Sequence, residues 1–315
     1  MTGAVHAEPA PPVSSLRVWA ALGVVYVVWG STYLAIRVMV ETIPALLGAG
    51  IRFVIAGLLM LAVLSARGGL RSISISRPQA LRLAAVGTLL AAGGNGLVTL
   101  GEKHVPSALA ALLVASVPLW IVVFRRLSGD RPVRSTMLGV GVGFVGVALL
   151  LLPGNRPEGV ELIPVLVIVL AAMSWGFGSL MSQRVQLPSD PLVSTGWQML
   201  FGGIVLFVIA GAAGEIGSVD VAAFSAKSIG ALLYLIVVGA MLAYSAYTWL
   251  LQNAPISQVS TYAYVNPVVA VVLGAAILSE AIPPMMLAAS GLIVAAVALI
   301  VRTEARSRQA DRRAT

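Results

Sequence analysis

Few residues of this chain can do chemistry, and their spacing sorts them into groups. Trp29, Tyr33 and Arg37 recur every four residues in one long apolar run, and Trp175, Ser179 and Gln183 do so in another. On a helix, residues i, i+4 and i+8 share one face. Polar and aromatic side chains aligned inside an apolar helix need a protein or water partner, because lipid offers none. The surrounding stretches, Val28-Trp29-Gly30-Ser31-Thr32-Tyr33 and Ser174-Trp175-Gly176-Phe177-Gly178-Ser179, echo each other 146 residues apart. The two faces are read as opposite walls of one internal cavity, with Trp29, Tyr33, Trp175 and Ser179 as its first candidates. The plainer alternative for the aromatics is a seat at the membrane interface. Trp29 stands about eleven residues into its run, near the middle of a bilayer, which favours the cavity.

Further candidates lie downstream. Tyr244, Tyr247 and Thr248 share one helical face, Gln258, Thr261 and Tyr262 another, and Asn266 follows Tyr262 by four. As a cluster, Tyr244, Thr248, Thr261, Tyr262 and Asn266 are expected to include cavity wall. Taken singly, each is better explained by hydrogen bonds that glue helices together. Asn95, between glycines and four residues before Thr99, needs several partners and is set by the repeat against the position of Tyr244. Pro118 and Pro267 are expected helix breaks, since a proline leaves the carbonyl one turn back unbonded. Arg37 and Arg52 are the charges inside apolar runs; a pair with Glu41 or snorkelling accounts for Arg37. Arg52 is deeper, and it faces either an anionic solute group or a structural carboxylate such as Glu102. Glu102, Lys103 and His104 read as a solvated rim, with Glu102 kept as a gating candidate. Two scattered histidines and no cysteine leave no metal site, and no phosphate-binding loop or other cofactor motif is present.

These residues must be held by elements that cross a membrane. Hydrophobic residues make up 59% of the 315 and charged ones 10%, too few charges to cover a water-facing surface. Ten runs are long enough to span: 18–39, 43–65, 81–101, 106–126, 136–152, 162–183, 192–212, 228–251, 256–278 and 284–302. The fold class expected is therefore all-α and integral to the membrane. Residues 1–16 read as a disordered Pro- and Ala-rich tail, with no leader peptide, and 303–315 as a basic tail. With the N-terminus inside, fifteen of the twenty Lys and Arg residues fall in inner segments, three in outer ones and two within spans. That bias puts both termini in the cytoplasm. It also explains the net charge of +8 without a nucleic-acid partner. The expected partners are the lipid bilayer and a small-molecule substrate.

The echo extends along the chain. Gly50 matches Gly196 and sets Arg52 against Gln198; Val105-Pro106 matches Ala254-Pro255; Pro118 matches Pro267. Each repeat, 17–153 and 160–302, holds five spans. An odd number makes the second copy enter the membrane upside down, an architecture common among secondary transporters. The motifs Trp29-Gly30-Ser31-Thr32-Tyr33, Gly50-Ile51-Arg52-Phe53 and Thr261-Tyr262-Ala263-Tyr264-Val265-Asn266-Pro267-Val268-Val269 resemble the drug/metabolite transporter superfamily. Within it they resemble the EamA-type ten-helix members, nearest the YedA-like branch of bacterial inner-membrane exporters. The resemblance implies two inverted five-helix bundles around a central cavity and export of small metabolites or drugs. A membrane-embedded enzyme is disfavoured, because the runs hold no carboxylate, Cys or His. On the same ground the carrier is expected to be a uniporter or exchanger, not proton-driven.

Overall fold

The computed structural model describes residues 14–152, 157–280 and 282–314, and side chains within them except Tyr264 and 304–314. Most of the expected N-terminal tail and part of the link between the repeats lie outside the described residues. Nine helices among the described residues are long and apolar enough to cross a membrane. They are α1 (Ser15–Met39), α2 (Ala45–Gly68), α3 (Arg77–Gly101), α4 (Ser107–Leu127), α5 (Arg134–Leu151), α6 (Leu162–Arg184), α7 (Pro191–Ala212), α8 (Ala226–Asn253) and α10, which spans at Pro284–Thr303 and runs on to Ala314. The remaining crossing, α9, comes in two pieces, Ile256–Val259 and Tyr262–Leu278. The described residues are thus all-helical in their regular structure, ten crossings in two inverted halves.

Local chemistry sets the helix ends, and it repeats between the halves. Pro44, Pro106 and Pro255 stand at N-caps, where a missing N–H costs nothing. Ser76 caps α3 in a reciprocal box with Gln79, and Ser225 caps α8 through the Ser228 amide. Gly69 and Gly214 turn the chain after α2 and α7 at φ of 74° and 78°, left-handed values that glycine adopts freely.

Packing follows the same twofold plan. α2 lies along its counterpart α7, and α5 along its counterpart α10. α1 packs on α8 and α9, as α6 packs on α3 and α4. Small residues permit the tightest contacts: a Cβ on Gly202 would stand 2.4 Å from the Gly87 carbonyl oxygen, and one on Gly87 2.2 Å from that of Gln198. Such approaches replace the hydrophobic drive that lipid does not supply between helices. At the rim, Glu215 accepts from the Leu47 amide at 2.8 Å, and Glu280 from the Ser107 and Ala108 amides at 2.9 and 3.0 Å. Carboxylates of the second half thereby cap α2 and α4 of the first, where exposed amides favour negative charge.

Two departures from α geometry occur at mirrored places. Thr88–Gly96 in α3 and Leu235–Tyr244 in α8 are π-helical. α4 is interrupted at Ala115–Ser116 and α9 at Ser260–Thr261. This corrects the role expected of the prolines. Pro118 falls in the first turn after the interruption of α4, where it starts a helix. Pro267 sits inside Tyr262–Leu278 without ending it, because buried neighbours can satisfy a carbonyl that proline frees. The break in α9 is instead stabilised by side chains. Ser260 Oγ donates to the Ile256 carbonyl at 2.7 Å, and Thr261 Oγ1 to that of Gln258 at 2.6 Å.

Candidate functional site: a ring-lined chamber between the halves

Helices α1, α3, α4, α6 and α9 line a small chamber of about 40 Å³. Trp29 and Tyr33 come from α1, Asn95 from the π segment of α3, Trp175 from α6 and Tyr262 from α9. The two tryptophans of the repeat meet edge to face, ring centres 5.2 Å apart. Trp29 also lies 4.7 Å from Tyr247 and 5.5 Å from Tyr262. Gly94 makes room for this: a Cβ there would stand 2.4 Å from the Trp175 ring.

Hydrogen bonds orient the rings. The Trp29 indole donates to the Gly239 carbonyl at 3.3 Å, in the π segment of α8. The Trp175 indole donates to the Tyr247 hydroxyl at 3.0 Å, which also shares a 2.6 Å bond with Ser179. Since Ser179 gives its own proton to the Trp175 carbonyl, the Tyr247 hydroxyl donates to Ser179. Tyr247 is therefore the joint of this network. The sequence placed it on the right face with Tyr244 and Thr248, yet nothing local singled it out from them.

The remaining candidates stand around this centre. Tyr244 is fully buried, packs against Phe53 and Trp175, and donates to Gln198 at 3.4 Å. Thr248 is buried with no partner for its hydroxyl among the described residues. Thr99 donates to the Asn95 carbonyl at 2.8 Å and does not line the chamber. Thr261 accepts from Tyr26, a residue not anticipated, joining α9 to α1. With its amide nitrogen turned toward them, Asn266 donates to the Tyr26 and Tyr262 carbonyls at 3.0 and 3.2 Å. Thr261 and Asn266 thus hold helices together; they do not line the chamber.

The aligned faces leave the chamber at their ends. Gln183 donates to the Leu251 and Ala254 carbonyls at 3.1 and 3.3 Å. Arg37 donates to the carbonyls of Glu102 and Lys103 at 2.7 and 2.9 Å, tying α1 to the end of α3. The expected Arg37–Glu41 pair is replaced by Glu41 with Lys227, 3.4 Å apart on the surface.

Glu102 contradicts the solvated-rim reading. Lys103 and His104 are exposed, but Glu102 is fully buried and both its oxygens lack hydrogen bonds among the described residues. Arg37 donates to its backbone carbonyl, a contact that the sequence of α3 alone does not disclose. Glu102 stands one residue past the end of α3. Burial holds its carboxyl well above the usual carboxylate range, Glu280 adds to this, and Arg37 and Arg52 pull the other way. The uniport expectation rested on spans without a carboxylate; Glu102 stands just outside its span, yet it is buried. The folded protein keeps a proton that the unfolded chain releases above about pH 4, so stability falls as pH rises from there. Glu102→Gln, which fixes the neutral form, is expected to flatten this fall. Thermal unfolding from pH 5 to pH 8 in detergent checks it, and an unchanged pH dependence would mean that Glu102 is ionised in the fold.

An inverted pair of five-helix units with an internal chamber where they meet is an architecture found among membrane transporters. Sequence comparison supplies the family. The EamA-like transporter family matches the chain twice, over residues 17–152 and 162–302, and the chain belongs to it. The inner membrane transporter YedA of Escherichia coli (strain K12) is 38% identical over 289 residues, covering 90% of each chain. The transporter YvbV of Bacillus subtilis (strain 168) is 27% identical over 290 residues, covering 92% of each. The chloroplastic WAT1-related protein At3g02690 of Arabidopsis thaliana is 24% identical, over 90% of this chain and 69% of its own. A solved crystal structure shares the fold at a TM-score of 0.65 with 22% identity, over 92% of this chain and 97% of that one. The family, YedA and YvbV are transporters and not enzymes.

Proposed function

We propose that the protein exports a small organic solute across the bacterial inner membrane by alternating access, the two five-helix units rocking about the chamber. The observation that carries this reading is the meeting of Trp29 and Trp175, the repeat's paired aromatics, 5.2 Å apart in a chamber between the units. A site at the junction of inverted repeats can be opened to either side by moving one unit against the other. The rings offer flat apolar area, and their indole and hydroxyl groups offer polar handles. Inner-membrane placement is supported by the likeness to YedA. Outward direction rests on the family resemblance of the motifs. Solute counterflow in proteoliposomes, screened over apolar and aromatic metabolites, tests transport. Resistance of an overexpressing strain to the same compounds tests direction, and sensitisation would make the protein an importer.

The proposed topology has both termini in the cytoplasm. Activity of a cytoplasmic reporter fused at either terminus, and of a periplasmic reporter in the 153–161 connection, is the expected result. A cytoplasmic signal from that connection would overturn the five-plus-five arrangement.

A further inference from the structure

Arg52 is 2% exposed, within the first half's second crossing, and its charge is poorly matched. Of its five N–H donors, one reaches Asn95 Oδ1 at 3.5 Å, the outer limit of a hydrogen bond. Its Nε has no partner, and its guanidinium otherwise lies 4.7 Å over the Phe53 ring. No carboxylate forms an ion pair with it among the described residues. Glu102 is near enough to feel its field, but its oxygens touch nothing. Gln198, the counterpart of Arg52 in the second half, also has a buried amide nitrogen with no acceptor. The interior beside the chamber thus holds donors on Arg52 and Gln198 without acceptors, and neither Glu102 oxygen bonds to them.

The position of the guanidinium gives the surplus a direction. Asn95 and Thr32 both line the chamber. A Cβ on Gly239 would stand 3.1 Å from Arg52 Nη2 and 3.1 Å from the Thr32 methyl. Arg52 therefore sits just behind the chamber wall, next to the lining residues Asn95 and Thr32, in a gap that a glycine keeps open. A buried charge without a partner is costly, and a removable partner relieves the cost only while it is bound.

Resting on the transport reading above, we propose that Arg52, with Asn95, binds the anionic group of the transported solute, a carboxylate on a compact apolar or aromatic body that lies among Trp29, Trp175 and Tyr262. Arginine's planar fork suits a two-oxygen anion. The repeat's asymmetry fits: packing alone would not require a cation at 52 and a neutral amide at 198. Charge and ring recognition are then contributed by different walls.

The probes are 3-phenylpropionate and its uncharged amide, with binding read from tryptophan fluorescence in phosphatidylcholine nanodiscs. The acid is expected to bind at least about tenfold more tightly than the amide, the value of a charge-assisted hydrogen bond. Arg52→Gln should remove that preference while the amide binds as before. The wild-type comparison stands by itself if Arg52→Gln fails to fold. Binding of the acid that is no tighter than that of the amide, absence of both included, overturns the proposal. So does loss of the acid's preference on adding phosphatidylglycerol, which would give the guanidinium to a lipid headgroup. Counterflow separates the two readings. Transport of acid and amide alike leaves the transporter without this site, whereas selective binding without counterflow leaves the site without the transporter.

Discussion

Trp29→Ala and Tyr262→Ala are each expected to reduce solute counterflow by at least about tenfold, a loss equivalent to about 1.4 kcal/mol, while folded protein stays in the membrane. Trp29 meets three other rings, on Trp175, Tyr247 and Tyr262, and an aromatic pair contributes about 0.5–1.5 kcal/mol beyond its buried area. One side of Trp29 and Tyr262 faces the chamber, so truncation widens a space that already exists. That differs from the excavation of a sealed core. Trp29→Phe separates area from polarity: it keeps a ring and removes the 3.3 Å bond to Gly239, and it should fall between the wild type and Trp29→Ala. Counterflow per folded molecule, with folding judged by size-exclusion chromatography, is the measurement. Parallel loss of folded protein and transport would return both residues to packing.

Gly202→Val is expected to eliminate most of the folded protein. A Cβ there would stand 2.4 Å from the Gly87 carbonyl oxygen and 2.7 Å from the Ala91 side chain. The first obstacle is backbone, which cannot swing aside as a side chain can. Overpacking a core costs about 1–3 kcal/mol when neighbours yield, and here α3 and α7 would have to part. Gly141→Ala and Gly230→Ala are the controls, since nothing lies within 4 Å of a Cβ at either place. Alanine there should be neutral or stabilising by about 0.5–1 kcal/mol, because glycine loses more freedom on folding. Thermal unfolding in detergent orders the variants. A Gly202→Val protein that melts with the wild type would show that this helix contact is not close-packed.

The architecture was legible because composition and repeat are global signals. The share of charge excludes a water-covered surface, and a spacing near 146 residues between Trp29 and Trp175 survives whatever the loops do. The meeting of these two rings followed from the same signal. Glu102 was misread because its surroundings come from elsewhere. A Glu-Lys-His run at the end of an apolar stretch says rim, and only the packing of distant elements, Arg37 of α1 among them, buries the first of the three. The joint at Tyr247 is a matter of rotamer and distance, to which spacing is blind. Thr261 and Asn266 follow the plainer of their two readings: polar residues deep in a span can serve the bundle alone, as their bonds to Tyr26 do. The π segments left no trace in the sequence, since one extra residue per ring does not alter the apolar pattern.

Those π segments give the molecule a kind of gearing. A ring closed from i to i+5 carries a surplus residue, and the surplus belongs to no fixed position, since exchanging one hydrogen bond hands it to the next turn. Each hand-over rotates the side chains it passes by about 100° while the helix ends stay anchored. Asn95 rides on one such segment and Tyr244 on the other. A shift of the first would change which groups its turn presents to the chamber, like teeth on a wheel, and a shift of the second would change what packs behind it, with neither five-helix unit tilting. The bundle thus holds a finer adjustment inside two of its crossings.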